Sequence, residues 1–191
     1  MQRSTARMVA VSSEAVAPEP ERLSARDAAG FDVERDIDLV LTFLNTYDAE
    51  ARNDALCDRE RWQWWCAERG LRPTPDPSAA ADVRDALRAA ADCGPLAGAL
   101  SAVFTAWPAQ ITLRGGVPVV TGVDALGEVL ASAARLVSTD HWDRIKICPA
   151  ADCLLAFYDR SRNRSRTWCS MRICGNREKA RSWRERHTSA G

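Results

Sequence analysis

Four cysteines, Cys148, Cys153, Cys169 and Cys174, occupy the last quarter of the chain as two CxxxxC pairs with fifteen residues between them. Thiolates are soft donors, and two close pairs joined by a short connection can converge from two directions on one tetrahedral Zn²⁺. Four sulfur ligands leave the metal no open position for water or substrate, so the chemistry expected is structural and not catalytic. The competing readings are a redox pair of CxxxxC motifs and four ordinary buried cysteines. Redox motifs favour the tighter CxxC spacing, which leaves one structural zinc as the stronger expectation.

Something must hold the two pairs face to face. Leu154–Tyr158 and Thr167–Trp168 have strand composition, and the polar run Asp159–Arg166 reads as the turn of a hairpin between them. Gly175 is expected to supply a tight backbone turn in the second knuckle, and Asn176 to cap a helix beginning at Arg177. Arg177, Arg181 and Arg184 would then lie on one helix face, with Ala180, Trp183 and His187 in an adjacent stripe packed on the rest of the protein. So small a unit buries too little apolar surface to fold alone, whereas zinc on four thiolates contributes on the order of 10 kcal/mol or more.

The formal net charge of the chain is zero, but it is partitioned. Residues 144–188 hold 12 Lys+Arg against 4 Asp+Glu, and residues 1–143 hold 14 against 22. Four thiolates and one zinc would bring the C-terminal unit from +8 to nearer +6. Such a surface fits a polyanion, or an acidic protein surface including this chain's own N-terminal part. Arg160, Arg162, Arg164 and Arg166 alternate, so an extended strand would place all four guanidiniums on one side, where their repulsion favours a bound anion. With Arg172, Asn176, Arg177, Lys179, Arg181 and Arg184 they form the candidate nucleic-acid contacts, the helix for a DNA major groove and the loop for phosphates. Asn176, Arg177 and Arg181 are the first candidates for reading base edges. Arginine also stacks on unpaired bases, so RNA and single-stranded DNA remain open.

The run Cys169-Ser170-Met171-Arg172-Ile173-Cys174-Gly175-Asn176-Arg177, preceded by Asp159-Arg160-Ser161-Arg162-Asn163 and Trp168, resembles the CGNR-type zinc finger of bacterial regulators. That resemblance implies a finger at the C-terminus of a helical ABATE-type domain, in a family described as stress-induced transcription regulators whose finger is taken to bind DNA. Leu39-Val40-Leu41-Thr42-Phe43-Leu44-Asn45-Thr46 is similar to the opening helix of that domain. The Gly-Gly that often precedes this run is absent, and Thr42 stands where an Asp is common.

The expected fold is therefore mainly α. Residues 31–143 form a helical ABATE-type domain with one small β-hairpin, and 144–188 a four-cysteine finger made of a hairpin and a basic helix. Residues 1–30, rich in Ala, Ser, Glu and Pro without apolar periodicity, read as a disordered tail. Ile37, Val40, Leu41, Leu44 and Tyr47 recur at helical steps. A second helix over 58–69 turns Trp62, Trp65 and Cys66 inward and Trp64 outward, closing at Gly70. Val83, Leu87 and Ala90 mark a third, and Leu96, Leu100, Val103, Phe104 and Trp107 a further segment. Gln110–Leu113 and Val117–Val120 flank Arg114-Gly115-Gly116 as a hairpin. Asp124 then caps a helix with Leu126, Val129, Leu130, Ala133 and Val137 inside.

Other functions find little support. Trp62, Trp64 and Trp65 read as core packing before a ligand box, and Asp36 and Asp38 as a solvated helix surface. Neither His141 nor His187 has a nucleophile partner, and a Gly-rich phosphate loop and HExxH are both lacking, so an enzyme is not expected. Cys57, Cys66 and Cys93 read as reduced core cysteines. No apolar run approaches a membrane span, and the chain is expected in the cytoplasm, with a small-molecule effector and a homodimer both compatible with the sequence.

Overall fold

The computed structural model describes residues 32–74, 76–93, 104–107 and 109–188. The tail expected over 1–30, and Leu96, Leu100 and Val103 of the segment after the third helix, lie outside the described residues. The elements in chain order are α1 (Val33–Leu44), β1 (Tyr47–Asp48), β2 (Asn53–Asp54), α2 (Arg59–Glu68), α3 (Pro77–Cys93), β3 (Gln110–Arg114), β4 (Val117–Thr121), α4 (Ala125–Ser138), β5 (Ile145–Ile147), β6 (Ala156–Tyr158) and α5 (Asn176–Thr188). The strands form three two-stranded antiparallel pairs, β1–β2, β3–β4 and β5–β6. Among the described residues no helix is long and apolar enough to cross a membrane.

Each early helix starts where an aspartate can take the free N–H groups of the first turn. Asp32 accepts from Glu34 and Arg35, Asp58 from Glu60, and Asp124 from Gly127. The α1 stripe Ile37, Val40, Phe43 and Leu44 meets Leu126, Val129, Leu130, Ala133 and Leu136 of α4, and Val83 and Leu87 of α3 complete the core. Trp62 and Trp65 are stacked with centroids 5.2 Å apart and present edges to Phe43, so they are core residues as expected, with Trp64 exposed. Gly115 and Gly116, both at positive φ, turn the β3–β4 hairpin in the register Leu113↔Pro118.

Several expectations are corrected. Asp36 is not solvated but buried, at 2.6 Å from Arg135 Nη2, and Arg135 also meets Glu128 at 3.1 Å and donates to the Val120 carbonyl. Asp36 faces α4 because it stands three, four and seven residues before Leu39, Val40 and Phe43, on the apolar stripe itself. Tyr47 lies beyond the end of α1 and, like Val137 and Cys57, is exposed.

The β5–β6 hairpin was not foreseen. Ile145↔Tyr158, Lys146↔Phe157 and Ile147↔Ala156 are the paired residues. Ile145 and Ala156 join the helical core, while Cys148, Ala150, Phe157 and Cys174 form a second, smaller one.

Candidate metal centre and nucleic-acid interface

The first knuckle is the turn of the β5–β6 hairpin. Cys148 N–H donates to the Leu155 carbonyl, Cys153 and Leu154 N–H both donate to Ala150, and Leu154 takes a positive φ of 52° to bring the chain back. Thus Ala156–Tyr158 pairs with Ile145–Ile147 and not with Thr167–Trp168, which belong to no strand. Alternating Ile-Lys-Ile next to the core outcompetes the short Thr-Trp segment as a partner for Phe157.

The second knuckle is helical. Ser170 accepts from Ile173 N–H and caps a single π-turn, Met171–Gly175, which runs directly into α5. Asn176 is accordingly not the N-cap of α5: its backbone is helical, and its side chain donates to the Arg172 carbonyl at 3.3 Å. Gly175 has no positive φ; its missing Cβ leaves room for Met171 Sδ and Trp168 Cδ1, which a Cβ there would meet at 2.5 Å and 3.1 Å.

These two turns bring the four Sγ atoms within 4.8 Å of one another, with Cys153–Cys169 at 3.5 Å and Cys169–Cys174 at 3.6 Å. Tetrahedral Zn–S bonds of about 2.3 Å require S···S edges of about 3.8 Å, so the cluster fits one structural zinc ion. The pairs are too far apart for disulfides and all four are free thiols. Burial, and then hydrogen bonding to Cys153 and Cys174, pushes the Cys169 thiol up, and burial does the same to Cys174. At Cys148 burial is outweighed by backbone N–H bonds from Cys169 and Ala150, and the thiol is lowered. Several thiols so close deprotonate together only when a cation compensates them. Arg177 Nη2 lies 3.7 Å from Cys174 Sγ, a hydrogen-bond donor at the edge of the cluster.

Residues 144–187 match the CGNR zinc finger family. That span takes in both knuckles, the loop between them and nearly all of α5. No curated protein matches the chain.

Between the knuckles of the CGNR finger, the 159–166 loop is built around one carboxylate. Asp159, fully buried, accepts from Lys146 Nζ at 2.7 Å, Ser161 N–H at 2.9 Å and Arg166 N–H at 2.9 Å. Burial alone would raise its carboxyl, but these donors outweigh it and hold it far below the usual carboxylate range. Lys146 also donates to the carbonyls of Arg164 and Arg166, and Arg144 to those of Asp159 and Ser161. The loop is therefore compact, with Arg164 at a positive φ of 51°, and the four alternating arginines diverge instead of sharing one side. Arg160 makes a bidentate pair with Glu34 of α1, and Arg164 lies 3.5 Å from Asp143. Arg166 folds over the Phe157 ring and donates to the carbonyls of Trp168 and Cys169. Arg162 is exposed with no partner among the described residues.

On α5 and the turn before it the same sorting occurs. Arg177 pairs with Asp152 at 2.7 Å, and Arg181 with Glu178 at 2.8 Å and Glu185 at 3.7 Å. All four carboxylates of the finger are thereby engaged with its own cations. Arg172 and Lys179 are exposed and, among the described residues, unpaired; Arg184 is exposed on the outer turns. Arg186, which sequence reasoning passed over, is likewise exposed and unpaired. Ala180, Trp183 and His187 do not pack on the rest of the protein: Trp183 is 56% exposed, its ring 4.2 Å from that of His187. Asp159 and Lys146 were missed as well; in a chain with two lysines, a strand lysine opposite an acidic turn residue was the available signal.

Proposed function

We propose that this chain is a DNA-binding transcription regulator whose CGNR finger, organised by one structural zinc, contacts the phosphate backbone through its loop and α5. The observation that carries this reading is the sorting of charge. The finger's carboxylates are consumed internally, while Arg162, Arg172, Lys179 and Arg186 face solvent without partners among the described residues. Cations held in fixed positions displace counterions from phosphates on binding. The metal, closed by four sulfurs, serves the fold, and the protein acts by binding and not as an enzyme. The helical part, by its resemblance to an ABATE-type domain, is the sensor of a stress-related effector, and the protein works in the cytoplasm.

A second reading, docking of the finger on an acidic protein surface, is favoured by Arg160 and Arg164, which meet carboxylates outside the finger in this same chain. The two are separated by fluorescence anisotropy of a mixed-sequence DNA duplex with zinc-loaded full-length protein at increasing salt. Neutralising four phosphates gives a log–log slope of about −4. Absence of binding to both that duplex and its single strand at low salt, or a slope near zero, would overturn the DNA reading.

A further inference from the structure

Resting on the reading that the finger binds DNA, we infer that Trp183 is a stacking platform for an unpaired base, so that the preferred ligand is DNA opened to a single strand at the contact. The three side chains first expected to read base-pair edges in a groove are already occupied. Asn176 is bonded back to the Arg172 carbonyl, Arg177 to Asp152 and the Cys174 sulfur, and Arg181 is held between Glu178 and Glu185. Using any of them on a base edge means breaking those contacts first.

Trp183 has no such commitment. It is 56% exposed on a helix whose sequence is otherwise strongly polar, where a large aromatic ring has no core to join. One side of the ring is supported by the His187 imidazole, with centroids 4.2 Å apart and planes 27° from parallel. That support fixes the ring's orientation before any ligand arrives. The charges around it are of one sign. Lys179 and Arg186 stand at i−4 and i+3 from Trp183, the positions that neighbour it on the helix surface, and neither has a partner among the described residues. Glu178 and Glu185 lie at i−5 and i+2, turned toward Arg181. An aromatic face flanked by unpaired cations is complementary to a base with phosphates on either side of it, and stacking tolerates any base because every base has a π-face. In an intact duplex the base faces are covered by their neighbours, and only edges are presented.

The test compares three fluorescein-labelled DNAs of the same sequence with zinc-loaded full-length protein: a duplex, the same duplex with a central unpaired bubble, and the single strand. Trp183→Ala and Trp183→Phe are measured alongside. The expected result is tighter binding of the bubble and the single strand than of the duplex. Trp183→Ala should lose that preference, weakening single-strand binding on the order of tenfold, and Trp183→Phe should retain most of it. Zinc content and salt slope should not change in either variant, because an exposed neutral side chain supports neither. Lys179→Ala and Arg186→Ala should instead lower the slope by about one each. Equal affinity for the three DNAs with Trp183→Ala unaffected overturns the stacking inference while leaving the DNA reading intact. Failure to bind any of the three overturns both, and tighter binding of an RNA strand of the same sequence overturns the choice of DNA.

Discussion

The side chain of Asn45, at the end of α1, closes a two-bond ring with the backbone of Ala156, 111 residues later in the chain. Asn45 Nδ2 donates to the Ala156 carbonyl at 2.9 Å, and the Ala156 N–H donates to Asn45 Oδ1 at 2.8 Å. The amide thus acts as one residue of a third strand along β6, completing the hydrogen bonding of a hairpin edge. Arg88 of α3 reinforces the same junction by donating to the carbonyls of Leu44 and Leu154. The finger's hairpin is therefore positioned by the helices and shares their core.

Asn45→Ala leaves both Ala156 backbone groups without their partner and should cost about 1–3 kcal/mol in denaturant unfolding, with zinc content unchanged. Asn45→Asp keeps the acceptor but sets a negative charge against the Ala156 carbonyl, and should cost at least as much.

A larger loss is expected at Arg135. Replacing it with Ala would strand Asp36 and Glu128 in the core without a cation, lowering stability by about 3–5 kcal/mol. Urea unfolding followed by circular dichroism checks this, and a change below 1 kcal/mol would contradict the assignment of a buried ion network.

How much of this could be read from the chain depended on the range of the interactions involved. Local patterns served well: the Asp124 cap, the inward Trp62, Trp65 and Cys66 of α2, the α4 stripe apart from Val137, the Gly115-Gly116 turn and the four-cysteine spacing all reappear in the structure. What was illegible was pairing between distant segments. Whether Phe157 pairs with Lys146 or with Thr167 depends on which strand reaches the helical core, and Asp36 reveals its ion partner only when α1 and α4 meet. The loop misled for a related reason. Alternating arginines imply a strand by period, but one buried carboxylate, Asp159, supplies enough hydrogen bonds to override that preference.

That carboxylate makes a pH prediction. Its folded-state value is depressed, so the stability it contributes is complete above the ordinary carboxylate range near pH 4 and is lost as pH falls toward the lower, folded value. Asp159→Asn should therefore be less stable than the wild type by about 2–4 kcal/mol, by an amount constant between pH 5 and pH 8. A difference that varies across that interval would mean that another group titrates in its place.

Removing one ligand should release the metal. Cys174→Ser is expected to drop bound zinc from one ion per chain to near none after dialysis, and to expose the 148–174 backbone to hydrogen exchange while the α1–α4 core stays protected. Retention of a full equivalent would show that these four sulfurs are not the ligand set.

If zinc arranges the finger's cations for nucleic acid, anisotropy of one DNA duplex at fixed low salt should follow a cycle of zinc loading, chelation and zinc return, with metal content measured in parallel. Binding should be lost as zinc leaves and recovered as it returns. Binding that persists unchanged in protein shown to be zinc-free would contradict the account.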